Sequence, residues 1–190
     1  TIHVKEESFR VLIPIPGQHM VYNALAGTAV GLTYGLSLEE IKRGIESLQP
    51  VSGRFHILKT GSYTVIDDCY NANPVSMKAS LEVLSDADTR KAAILGDMGE
   101  LGENEVDLHR EVGVYAASRD IDLILCVGKL SAYMAEAASL AAPAKEVLHF
   151  ETRDALLEQL PGLLEPGDTV LVKASHFMQF EKVVEALGSM

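Results

Sequence analysis

The chain has 190 residues, 47% hydrophobic and 23% charged, a composition that suits a folded globular protein and is wrong for a disordered one. Its 16 Lys and Arg against 27 Asp and Glu leave a net charge of −11, which argues against a nucleic-acid partner or an anionic membrane surface, since both need a basic face. No apolar run approaches the ~18 residues of a membrane span, Thr1 to Arg10 lacks the apolar centre of a signal peptide, and the 2 cysteines, Cys69 and Cys126, are too few for a disulfide scaffold, so a reducing cytoplasm is the expected compartment.

Residues 3–15 alternate loosely and read as extended, up to a break at Gly17. From His19 to about Tyr34 the residues are small and apolar, as in a closely packed helix, with Gly35 as its stop. Ser37 opens a second helix with the capping-box pattern S-L-E-E, and Leu38, Ile41, Ile45 and Leu48 give its apolar stripe. Two helices and a strand or two make a poor domain, so residues 1–52 read as the end of a domain whose front lies outside this sequence. A start on Thr1 rather than Met agrees with that reading.

The pattern becomes regular over 53–190, which reads as one domain. Segments 55–60 and 63–67 flank Gly61-Ser62, a hairpin signal. Asn73-Pro74 predicts a helix start, with Asn as cap and Pro at the first helical position. Apolar runs at 91–96, 122–128, 146–150 and 168–174 then alternate with helical stretches at about 104–118, 131–141 and 152–164 and a last one ending at about Leu187. Short continuous apolar strands alternating with helices predict an α/β fold: a doubly wound, Rossmann-like, mostly parallel sheet of about six strands with helices on both faces.

Ligands of such sheets bind beyond the carboxyl ends of the strands. Five loops qualify: 67–74, 96–104, 128–131, 150–153 and 173–177. In the first, Asp67 and Asp68 end a strand, and only one of two adjacent side chains can face the crevice. Asp68, further out, is the better candidate for a ribose hydroxyl or a magnesium-bound water; loop filling for Asp68 and simple capping for Asn73 stand as alternatives. The second loop, Gly96 to Gly102, lacks the G-x-G-x-x-G spacing, and no G-x-x-x-x-G-K-[ST] occurs anywhere in the chain. Gly128-Lys129 and Lys173-Ala174-Ser175-His176 place lysines at strand ends ahead of helix starts, which suits an anionic ligand; the alternative for Lys173 is a packed stem with a wet amine. His109 shares a helix face with Val106, Val112 and Ala116 and reads as a buried structural histidine. Cys69 follows two acidic residues, Asp67 and Asp68, which raise a thiol pKa, so packing accounts for it better than nucleophilic chemistry. The histidines show no zinc-type spacing, and no metal ligands are assigned.

Together these motifs resemble one family. D-D-C-Y-N-A-N-P-V-S-M (67–77), L-G-D-M-G-E-L-G (95–102) with His109 following, G-Q-H-M-V-Y-N-A-L-A (17–26) and Gly53-Arg54 are similar to the Mur ligases of bacterial cell-wall synthesis, and most of all to the branch that handles D-Ala-D-Ala. The resemblance implies a three-domain enzyme, of which 1–52 would be the end of the central ATP-binding domain and 53–190 the C-terminal domain. It implies a reaction in which ATP activates a carboxylate as an acyl phosphate, attacked by an amine to give an amide, ADP and phosphate. The substrates would be UDP-MurNAc-tripeptide and D-Ala-D-Ala, in a cytoplasmic monomer, with Mg2+ ligands and the P-loop in the part of the enzyme not present here. By the same resemblance Arg54, Asp68 and Lys173 are the catalytic candidates. Asn23 (adenine), Arg54 (phosphate), Asp68 (ribose), Tyr70 and Asn73 would meet the nucleotide, and Asn71, Gly128, Lys129 and Ser175 the substrates. Met20 departs from the pattern, standing where the family has an Asn, and a thioether does not bond as an amide does. The alternatives are a related ligase, of the folylpolyglutamate or cyanophycin type, and a stand-alone nucleotide-binding module without catalysis.

Overall fold

A computed structural model describes residues 1–190, which divide into two compact units, Thr1–Pro50 and Val51–Met190. In the first unit the extended run proves to be a hairpin. Strands β1 (Ile2–Val4) and β2 (Glu7–Phe9) pair antiparallel, Ile2 opposite Phe9, because Lys5 adopts a left-handed conformation (φ 53°) and turns the chain back. Helix α1 (Gln18–Thr33) stops just before Gly35, whose φ of 78° ends it as expected. Helix α2 (Leu38–Glu46) opens on the capping box: Glu40 N–H donates to Ser37 Oγ and Ser37 N–H to Glu40 Oε2, at 3.3 and 2.8 Å. Ile2, Ala24, Ile41 and Ile45 form the small core; Leu48 falls past the end of α2 and is exposed.

The second unit is built on one six-stranded sheet. Strands β3 (His56–Lys59), β4 (Thr64–Asp67), β5 (Lys91–Gly96), β6 (Leu123–Val127), β7 (Glu146–Phe150) and β8 (Thr169–Lys173) lie in the order β3-β4-β8-β5-β6-β7. Only β3 runs antiparallel, joined to β4 by the Gly61-Ser62 hairpin. That turn is closed by Thr60, whose Oγ accepts the Tyr63 N–H at 2.9 Å. Helices α3 (Pro74–Ser85), α4 (Glu105–Ser118) and α5 (Ser131–Ala141) pack side by side, as do α6 (Arg153–Leu163) and α7 (Glu181–Ser189). Strand alternation serves both groups. Val65, Ala92, Ile94, Leu123, Leu125, Val170 and Val172 share a core with Leu156, Leu160, Val183 and Leu187 of α6 and α7. The intervening residues, among them Ile66, Ala93, Leu95, Ile124 and Leu171, are as deeply buried and point to the other face. No helix is long and apolar enough to cross a membrane.

The topology fixes where a crevice can open. The chain leaves β4 and β5 through α3 and α4, and leaves β8 through α7 on the opposite face. Because β8 is inserted between β4 and β5, the connections diverge on both of its sides, the arrangement that opens a ligand crevice at carboxyl strand ends. The loop after β5 is tied down by His109, which is fully buried: its Nε2 accepts the Met98 N–H at 2.9 Å, so the proton is on Nδ1, which donates to the Glu105 carbonyl at 2.6 Å. Both ring nitrogens are spent on structure.

Helix α4 approaches α5 at Gly113, where an added Cβ would stand 2.1 Å from the Met134 carbonyl oxygen. Backbone cannot yield there as a side-chain tip would. Gly113→Ala should therefore destabilise the chain by about 3 kcal/mol, read from urea unfolding, an effect at the upper end of overpacking.

Candidate active site

The carboxyl end of β4 carries the two aspartates to opposite sides, as the pleat requires. Asp67 turns under the segment before β3: its Oδ2 accepts the Gly53 N–H at 2.7 Å and the Ser52 hydroxyl at 3.3 Å, and its Oδ1 the Cys69 thiol at 3.1 Å. Asp68 turns toward α3. Its Oδ2 accepts the Ser80 hydroxyl and the Lys173 ammonium, each at 2.6 Å, and its Oδ1 accepts the Phe55 N–H at 3.1 Å. Lys173 comes from β8, the neighbouring strand, and also donates to the Asn71 carbonyl at 3.0 Å. Its side chain is 2% exposed, against 15% for Asp68. The amine is therefore interior, and the reading of a packed stem with a wet head does not hold. Burial pushes the Lys173 pKa below its ordinary value, and Asp68 opposes that shift without cancelling it.

Above this buried pair lies an exposed layer. Gly53 (φ 76°) puts the chain into a tight turn whose carbonyl accepts the Tyr70 N–H at 2.9 Å, and any side chain at Gly53 would crowd Tyr70 Cβ. The turn delivers Arg54, whose guanidinium lies over the Tyr70 ring, 4.2 Å from its centre. Arg54 is exposed, enters no ion pair and makes no side-chain hydrogen bond with the protein. A flat guanidinium seated on an aromatic ring with its five donors uncommitted is prepared for a planar, bidentate anion.

The other candidates are distributed as follows. Asn71 is exposed and its Oδ1 accepts the Ala72 N–H at 2.8 Å, leaving the amide nitrogen available. Asn73 caps α3, its Oδ1 accepting the Ser76 N–H at 2.9 Å while Ser76 Oγ accepts the Asn73 N–H at 3.1 Å. Ser175, after β8, latches the neighbouring loop: its N–H donates to the Asp97 carbonyl at 3.1 Å and its Oγ accepts the Gly99 N–H at 2.8 Å. Gly128 and Lys129 follow β6, three strand spacings from β4, or about 14 Å. The start of α5 beside them already holds an anion, since Asp97 Oδ1 accepts the Ser131 N–H and hydroxyl at 2.7 Å each. An added Cβ at Gly128 would strike that carboxylate. Lys129 itself is exposed. Asn23 belongs to the first unit, on α1, where its amide donates to the sulfur of Met20 at 3.4 Å, so the thioether that replaces an amide still accepts one.

Arg54, Asp68, Tyr70, Asn71 and Lys173 thus come together at the β4–β8 crevice, with Ser175 at the next seam. Sequence reasoning passed over Ser80 and Asp97. Ser80 is a lone polar residue in the stripe Met77, Leu81, Leu84, which is the signal that could have marked it. Asp97 gives no such signal, because its partner Ser131 is 34 residues away. Burial raises the Cys126 thiol to about 12, and burial with the Asp67 carboxylate raises Cys69, so neither is a nucleophile. No group of three or more His, Cys, Asp and Glu is arranged to hold a metal ion.

The fold and crevice define a doubly wound α/β domain with an anion-ready arginine at a strand-order reversal, and residues 53–176 match the family model of the Mur ligase glutamate ligase domain. The chain belongs to the Mur ligase family. It is 36% identical over 190 residues to the UDP-N-acetylmuramoyl-tripeptide–D-alanyl-D-alanine ligase of Bacillus subtilis, covering 98% of this chain and 41% of that protein. Among solved structures it superposes on MurF of Acinetobacter baumannii with a TM-score of 0.88 at 33% identity, over 99% of this chain and 42% of that one. MurF ligase of Thermotoga maritima in complex with ADP gives a TM-score of 0.75 at 26% identity, over 92% of this chain and 39% of that one. The chain spans about two fifths of the length of the curated relatives it matches.

The buried lysine makes stability depend on alkaline pH. With its pKa lowered from 10.5 in the folded state, the unfolded chain binds more protons between the two values. Stability from this group is complete above 10.5 and is lost as pH falls through the folded value. Urea unfolding of wild type and Lys173→Met across that window should show the wild type gaining on the variant as pH rises. A constant difference would place the amine in water.

Proposed function

We propose that the chain is the C-terminal portion of an ATP-dependent amide-bond ligase that joins D-Ala-D-Ala to UDP-MurNAc-tripeptide through an acyl phosphate. On this reading 1–52 is the end of the central ATP-binding domain and 53–190 the C-terminal domain, and the enzyme acts as a monomer in the cytoplasm. The relatives' activity supports the substrates, and the relative solved with ADP supports the nucleotide. The observation that carries the reading is the Arg54 guanidinium, laid on Tyr70 with every donor free at the carboxyl end of the sheet. Such a group grips a nucleotide phosphate in two parallel hydrogen bonds and stabilises charge as the phosphoryl group transfers.

The remaining roles follow from what each side chain has left to give. The Asp68 carboxylate has about four lone-pair sites. Three are taken, by Phe55, Ser80 and Lys173, which leaves one for a ribose hydroxyl. Lys173 holds that carboxylate in place. The adenine role of Asn23 rests on the family resemblance alone. Tyr70 seats Arg54, and Asn73 shapes the loop by capping α3. The free amide of Asn71, the Ser175 hydroxyl and the exposed Lys129 beside Gly128 are the groups available to the peptide substrates. ATP supplies the activating phosphoryl group, and the Mg2+ that accompanies it takes its ligands from the remainder of the full-length protein.

Two measurements test this. In a coupled phosphate-release assay the full-length protein should turn over with ATP, UDP-MurNAc-tripeptide and D-Ala-D-Ala and stay silent with other amines, while the 190-residue chain alone should release no phosphate. Release driven equally by unrelated amino acids would reject the acceptor. Arg54→Ala in the full-length enzyme should cut kcat by about 100-fold, the size of losing one charge-stabilising donor, with its Tm nearly unchanged; unaltered kinetics would remove Arg54 from the site.

A further inference from the structure

We propose that His176 is a positioning residue for this reaction: its imidazole buttresses the Tyr70 ring and, through that ring, the Arg54 guanidinium. The proposal rests on the ligase reading above and gives a role to a residue that carries none in it. The His176 ring centre lies 5.3 Å from that of Tyr70, tilted by 34°, and Arg54 Cζ lies 4.2 Å from the same Tyr70 centre. Separations in that range are attractive for tilted rings and for a cation over a ring.

Tyr70 needs an outside support. It is 47% exposed, its phenol makes no hydrogen bond with the protein, and its anchor is the backbone bond to Gly53. His176, although exposed, grows from a fixed backbone. The preceding Ser175 is held to Asp97 and Gly99 of the neighbouring loop, and the His176 carbonyl accepts the Gln179 N–H at 3.0 Å, where Gln179 turns left-handed (φ 55°). Gln179 is in turn gripped by Arg153, which donates to its carbonyl and to its side-chain oxygen at 3.3 Å each. A ring on two torsions from a pinned Cα restricts its neighbour far more than solvent does. Arg54 has no carboxylate to orient it, so its attitude depends on the ring beneath it. His176 is thus a second bridge from the β8 end to the β4 loop, at the surface, above the buried Lys173–Asp68 pair.

The test uses the full-length enzyme with His176→Ala, His176→Phe, Tyr70→Ala and the double variant His176→Ala/Tyr70→Ala. His176→Ala should lower kcat/KM for ATP by about 3- to 10-fold, the size of one aromatic pair, and leave KM for D-Ala-D-Ala unchanged. His176→Phe, which keeps a ring, should stay within about twofold of wild type on the same scale, and it also guards against misfolding of the alanine variant. In the Tyr70→Ala background, removing His176 should cost nothing more. The proposal is overturned if His176→Phe is as poor as His176→Ala, if the two losses add in full, or if the loss falls on D-Ala-D-Ala. A wild-type enzyme that releases no phosphate with D-Ala-D-Ala overturns the ligase reading instead. Calorimetric titration with ADP then reads the same variants: the same order of affinities supports the stack, whereas equal affinities, or no ADP binding by the wild type, overturn it.

Discussion

The buried bond between Lys173 and Asp68 holds the second unit's crevice together. Putting an ammonium and a carboxylate into the interior costs several kcal/mol per ion, and the cost is offset only when every remaining donor and acceptor is matched. Here the match is close to complete: Asp68 takes three donors, and Lys173 gives to a carboxylate and a carbonyl. Such a pair does more for geometry than for net stability. Removing either partner strands a charge, so the end of β8, the middle of α3 and the turn before β3 are held in one arrangement. Tyr70 and Arg54 inherit their places from it.

A second constraint comes from the helix starts. Each N-terminus around this crevice is already served from within the chain. Asn73 caps α3, Asp97 fills the start of α5 and Thr152 caps α6, while α4 and α7 carry Glu105, Asp107 and Glu181 in their first turns. A helix dipole answered by its own carboxylate or amide has little left for a phosphate. An anion entering this unit would therefore have to be met by side chains, and the Arg54 guanidinium on Tyr70 is exposed and uncommitted there. The sequence reading of Gly128-Lys129 as an anion cradle omitted Asp97, which takes the place of that anion and leaves Lys129 to act by its own exposed charge.

Much of the fold was legible beforehand because its signals are local. Ser37 with Glu40, and Asn73 with Pro74, announce helix starts through bonds that close within one turn. Continuous apolar runs announce strands covered on both faces. The hairpin inside the first extended run was not legible, because it depends on Lys5 accepting a left-handed conformation without a glycine to mark it. His109 was readable from its helix face, but its partner Met98 was not. His176 was set aside for want of ligand spacing, since its significance lies in touching a ring over a hundred positions away in sequence.

The sequence by itself determined the kinds of elements, their order and the loops that collect at the carboxyl strand ends, because periodicity, capping and turn chemistry all act within a few residues; the family was legible only through the resemblance of the motifs those loops carry. Only the tertiary structure decided that β8 enters between β4 and β5. That choice is made by packing across the whole sheet. It brings Lys173 to Asp68 over 105 residues and seats an arginine, a tyrosine and a histidine in one layer above them. No local propensity encodes that adjacency, since strands of similar apolar composition are interchangeable until their faces are buried against particular helices.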